Sequence, residues 1–94
     1  MRKIYPVMTD KRKKWLATLV EEGPKNRWKS RTGYDCMQLG WTEWDYRRDG
    51  KPISAEEALE ASRAGMIDFT MDAERITPLG LAALKEAGYD RKDI

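Results

Sequence analysis

The chain has 94 residues, with 18 Lys+Arg against 16 Asp+Glu, one cysteine and no histidine. A Ser-His-Asp triad, a Cys-His pair, an imidazole metal site and an internal disulfide are therefore excluded. The net charge of +2 conceals a split: residues 1–51 carry 13 cations and 7 acids, whereas residues 52–94 carry 5 and 9.

The hydrophobic content of 40% falls in periodic groups between capping residues and suits one small core. The expectation is a single domain over 1–94, with an N-terminal arm (1–8) and a loose tail (89–94). No apolar run approaches the roughly 20 residues of a membrane helix, and the opening Met1-Arg2-Lys3-Ile4-Tyr5-Pro6 lacks the apolar stretch of a secretion signal. This reads as a cytoplasmic protein with no membrane partner and with Cys36 reduced.

Thr9 or Asp10 caps a first helix that runs to residue 22, with Trp15, Leu16, Leu19 and Val20 on one face and Gly23-Pro24 as its stop. Its charges oppose the helix dipole, with Lys11-Arg12-Lys13-Lys14 in the first turn and Glu21-Glu22 in the last. A basic, aromatic stretch follows, Lys25-Asn26-Arg27-Trp28-Lys29-Ser30-Arg31. Ser30 or Thr32 then caps a short helix ending at Gly40, with Tyr34, Met37 and either Cys36 or Leu39 expected inward. Trp41 to Arg47 read as a strand, with Trp44 and Tyr46 on one face and Glu43 and Asp45 on the other. Trp41 and Trp44 cannot share a face, so one of them is expected at an edge or exposed. Asp49-Gly50 is a turn. Ser54-Ala55-Glu56-Glu57 is a capping box opening a helix over 55–64 that Gly65 stops. Met66 to Met71 alternate as a strand, Arg75-Ile76 continue or return it, and Thr77-Pro78 opens a last helix ending at Gly88.

Two segments carry a likeness to a known family. Arg75-Ile76-Thr77-Pro78-Leu79-Gly80-Leu81-Ala82-Ala83-Leu84 looks like the passage from a wing's last strand into a closing helix. Met37-Gln38-Leu39-Gly40-Trp41 looks like a recognition helix passing into the first wing strand. With the first helix stopped at Gly23-Pro24, the chain resembles, over residues 9–48 and 70–88, a winged-helix (winged helix-turn-helix) domain of small bacterial and bacteriophage regulators. It departs from that pattern between Asp49 and Thr70, where a capped helix is inserted. The likeness implies an α+β fold, with a three-helix core and a small antiparallel β-wing interrupted by the inserted helix. It also implies a small DNA-binding regulator associated with phage or mobile elements, in some cases a homodimer.

Within that frame Lys25, Arg27, Lys29 and Arg31 are candidate phosphate contacts, and Gln38 is a candidate reader of an adenine edge. Trp28 is placed either to stack on a base or to anchor its loop. Arg47 and Arg48 stand where a wing would touch the minor groove or backbone. Lys11 to Lys14 are a second phosphate contact or an ordinary solvated helix start. Asp35 opposes the DNA reading, because an acid in a recognition helix repels phosphate. The competing expectation is a protein-binding module on the same fold, taking a host or viral protein without DNA contact. Catalysis is not expected, since no carboxylate pair comes with a pocket signature, no glycine loop cradles phosphate and Cys36 has no base; no cofactor is implied.

Overall fold

The computed structural model describes residues 8–26, 30–66 and 68–90. Helix α1 (Asp10–Glu22) starts where Thr9 Oγ1 accepts the Arg12 N–H at 3.2 Å. It stops at Gly23, whose φ of +84° a side chain would resist. Residues 23–30 carry the chain to helix α2 (Arg31–Gln38), capped by Ser30 Oγ on the Gly33 N–H at 3.0 Å. That connection is longer than the roughly three- or four-residue turn of a tight helix-turn-helix. Midway it pairs with the sheet, Lys25 and Glu74 exchanging backbone hydrogen bonds of 3.0 and 2.8 Å.

Buried positions on α2 are Gly33 and Cys36, one helical turn apart. Of the alternatives Cys36 and Leu39, Cys36 is the buried one, and the expectation that Tyr34 points inward is corrected: it is 51% exposed. At 100° per residue the face opposite Gly33 and Cys36 holds Arg31, Tyr34, Asp35 and Gln38.

Strand β1 (Thr42–Trp44) pairs antiparallel with β4 (Glu74–Ile76) in the register Thr42↔Ile76 and Trp44↔Glu74. The strand expected over 41–47 is broken at Asp45 and Tyr46. Its continuation β2 (Arg47–Arg48) turns through Asp49 and Gly50, at φ of +54° and +77°, into β3 (Lys51–Pro52). Two successive positive φ values in a two-residue loop make the primed hairpin turn that matches strand twist. The strand expected over 66–71 is reduced to one bridge, Thr70 with Arg47 at 2.8 and 2.9 Å. Residues 71–73 separate that bridge from β4; Phe69 packs edge to face on Tyr46, so the alternation marks a packed side and not a ladder.

Helix α3 (Ala55–Arg63) begins at Ser54, whose Oγ accepts the Glu57 N–H at 3.0 Å. The reciprocal half of the capping box is diverted, because the Glu57 carboxylate takes Arg48 at 3.0 Å. Only Ala58 and Ala61 of α3 are buried. This insertion is tied to the sheet by Arg75, which donates to Glu43 at 2.8 Å, Asp45 at 3.5 Å and the Ile53 carbonyl at 3.0 Å, and lies 5.8 Å from the Tyr46 ring centre. Glu43 and Asp45 thus share a side, as the alternation of 43–46 implies.

Helix α4 (Pro78–Glu86) returns to the core, capped by Thr77, and the core joins Leu16, Cys36, Trp41, Ala83 and Leu84. Trp41 is the fully buried tryptophan of its pair and Trp44 is half-buried. Tyr89 belongs to this core and not to a loose tail: it packs on the cluster, and its hydroxyl donates to Glu21 at 2.8 Å. Met8 of the expected arm packs there too; residues 1–7 and 91–94 lie outside the described residues.

Three groups meet where β1 leaves α2. The Trp41 N–H donates to Cys36 at 3.0 Å, its carbonyl accepts the Thr77 N–H at 3.0 Å, and Thr77 Oγ1 donates to Gly40 at 2.7 Å. Gly80 sits directly on this junction. A Cβ there would collide with the Trp41 carbonyl oxygen and stand 2.8 Å from its carbon. Backbone cannot yield as a side-chain tip can, so Gly80→Ala is expected to cost about 3 kcal/mol or more by urea denaturation. A loss under about 1 kcal/mol would show that this contact is not tight.

Candidate nucleic-acid interface

Four adjacent cations open α1, and helix geometry sends them to different places. Arg12 reaches α2 and pairs with Asp35 at 3.3 Å. Lys13 reaches the end of α4, where its Nζ donates to the Ala87 carbonyl at 3.0 Å. A cation at that carbonyl end is favourable for α4 although it opposes the dipole of its own helix. Lys11 and Lys14, three apart, remain exposed on a third side.

There they line a groove of about 440 Å3 with Trp15 and Thr18 of α1, Lys25 of the connection, and Ser30 and Thr32 at the start of α2. Among these described lining residues three are lysines and none is an acid. Lys25 is held by Glu22 at 2.6 Å, an exposed pair that competes weakly with a stronger anion. Trp15 Nε1 is buried and donates to no acceptor among the described residues.

The described candidate residues fall in three places. Lys25 lies in the groove. Arg31 and Gln38 are exposed on the outer face of α2 with Tyr34. Arg27, Trp28 and Lys29 fall outside the described residues. Arg47 and Arg48 are engaged by acids: Arg47 donates to Asp45 at 2.6 Å and to the Gly50 carbonyl at 3.0 Å, while Arg48 pairs with Glu57 at 3.0 Å and Asp68 at 3.3 Å. They hold the insertion together and do not line the groove.

Asp35, which counted against phosphate binding, has its charge offset by Arg12. Sequence reasoning assigned Trp15 to the core alone and left Thr18 and Tyr34 out of any interface. The stripe Lys11, Lys14, Thr18, at helical spacing, was the available signal for the groove. Among the described residues no group of three metal-ligating side chains comes together, and no helix is long and apolar enough to cross a membrane. Comparison with protein-family models, curated proteins and solved structures finds no match, so this surface is read from its own chemistry.

On the inward face of α2 lies Cys36, completely buried. Burial pushes its thiol from the ordinary 9.0 to about 12, helped by the negative charges of Glu74 and Asp35 and opposed by Arg12. The protonated thiol is inert as a nucleophile, and native protein is expected to resist iodoacetamide until it unfolds. A group whose pKa is raised by folding stabilises the native state fully below the unfolded value and loses that contribution as pH rises toward the folded one. Between about pH 9 and 12, wild-type stability is therefore expected to fall more steeply than that of Cys36→Ala, measured by denaturant titration; parallel curves would contradict the burial.

Proposed function

We propose that the chain binds double-stranded DNA through the α1–α2 surface, in a winged-helix-like arrangement with α2 as the reading helix. In this reading the β1–β4 pair stands in the place of a wing's strands. The observation that supports it best is the division of the α1 cations: two are consumed by the fold, and two are left beside Lys25 in an acid-free groove at the start of α2. Groove lysines and Arg31 neutralise phosphates and set the position of the helix, while Gln38 on the outer face of α2 reads a base edge. No cofactor takes part.

A second reading, a protein-binding module that makes no DNA contact, is favoured by one observation. The arginines at the hairpin, Arg47 and Arg48, are already bound by Asp45, Glu57 and Asp68.

The test is duplex binding followed by tryptophan fluorescence across a salt series. Lys11, Lys14, Lys25 and Arg31 supply about four phosphate contacts, and Arg27 with Lys29 raise this to about six, giving a logarithmic slope between about −4 and −5. Lys11→Ala with Lys14→Ala is expected to reduce the slope by about 2 on every sequence. Gln38→Ala is expected to relax base preference and to leave the slope unchanged. Absence of duplex binding at low salt, or a slope indifferent to the double substitution, would select the second reading.

A further inference from the structure

Helix α3 packs on its own chain through two small side chains, Ala58 and Ala61, and carries a leucine, Leu59, that is 51% exposed. At 100° per residue its outer side gathers Leu59, Arg63 and Glu56 within about 60° of arc. All three are exposed, and among the described residues neither Glu56 nor Arg63 has an ion-pair partner; the acid of α3 that Arg48 takes is Glu57. An acid at the start of a helix and a cation at its end complement the helix dipole. The dipole gives no reason for the exposed leucine between them.

The order acid, leucine, cation is its own complement. When two copies of α3 lie antiparallel about a two-fold axis beside Leu59, position 56 of each faces position 63 of the other, because these positions stand three residues before Leu59 and four after it. The two leucines then meet at the axis, and two pairs of Glu56 with Arg63 close the ends. A parallel pair would instead set Glu56 against Glu56 and Arg63 against Arg63. Glu60 lies about 40° beyond Glu56 and stays at the rim, where water and salt screen it from its copy. On the other side of Leu59 a depression of about 180 Å3 is bordered by Tyr46, Phe69 and Met71, with Met71 42% exposed, so the apolar surface extends past the leucine.

We infer that the chain self-associates through α3 as an antiparallel two-fold dimer, with Leu59 at its centre and Glu56 of each copy paired with Arg63 of the other. The nine residues of α3 make a face about 13.5 Å long, too short to reach the roughly 1,200 Å2 at the lower bound of stable interfaces. The dimer is therefore weak and reversible, with a dissociation constant on the order of 100 µM. It uses none of the groove residues and stands or falls independently of DNA binding.

Sedimentation equilibrium of the full chain from about 10 µM to about 1 mM is expected to show the average mass rising from one chain toward two. Glu56→Arg alone and Arg63→Glu alone each set like charges against each other at both ends, and each is expected to weaken association about tenfold or more. Mixed in equal amounts, the two variants are expected to associate with each other within about threefold of the wild-type affinity, since each supplies the charge that the other has reversed. A misfolded surface is not repaired by mixing, so this arm separates pairing from folding. Leu59→Gln, which changes no charge, is expected to weaken association about tenfold or more with unchanged circular dichroism. Lys11→Ala with Lys14→Ala is expected to leave it unaltered. A single-chain mass throughout the series, equal association of the wild type and the charge-reversed variants, or a mixture no stronger than its components would each overturn the inference.

Discussion

The seating of Gly80 on the Trp41 carbonyl organises this protein. It brings the exit of α2, the start of β1 and the first turn of α4 within one side-chain radius of each other. Only a residue with no Cβ allows Thr77 to donate its N–H to Trp41 while its hydroxyl reaches Gly40. From this junction follow the burial of Trp41, the β1–β4 register and the placement of Ala83 and Leu84 against Leu16. α1 then closes over the assembly, and its first turn becomes the meeting place of two other helices.

That meeting place explains a run of charge that makes little sense on α1 alone. Residues that oppose the dipole of α1 serve other elements: Lys13 terminates α4 and Arg12 neutralises an acid on α2. A charge run in sequence is one object, but a helix distributes it over some 300° of arc in four residues. The arithmetic of 13 cations and 7 acids in the first half therefore overstates what faces outward. Arg12, Lys13, Arg47 and Arg48 all have partners inside the fold. Among the described residues, what stays on the α1–α2 surface is narrower, centred on Lys11, Lys14, Lys25 and Arg31.

Local signals were legible and distant ones were not. Thr9, Ser30, Ser54 and Thr77 each cap the helix expected of them, because a cap depends on the backbone within three residues. The same holds for the stop at Gly23 and the turn at Asp49-Gly50. The inward face of α2 was read only in part: Cys36 was among the positions expected inward, but Gly33, which has no side chain to score, was missed and Tyr34 was taken for a core residue. Close helix packing selects for smallness, which a hydrophobic pattern does not register. The 66–71 strand failed for a different reason. Alternation fits any extended segment with one packed side, and pairing needs a partner that β1 and β2 supply at Thr70 alone. For the interface, sequence identified Lys25, Arg31 and Gln38 by type, while Trp15 and Thr18 joined it through the approach of the connection to α1, which no local rule contains.

The segment between β1 and β4, residues 45–73, has a consequence for how the chain reaches this state. β1 and β4 are neighbours in the sheet but distant in sequence, so their pairing is a late, non-local event unless something shortens the path. A tight hairpin at Asp49-Gly50, a capped helix and the Arg48–Glu57 ion pair are all local, and they shorten the path that the ladder has to close. Loop-closure entropy grows only as the logarithm of length, about 0.6 kcal/mol per doubling. The point between β1 and β4 is thus where this architecture tolerates replacement of one module by another, with the helical core and the Trp41 junction left intact.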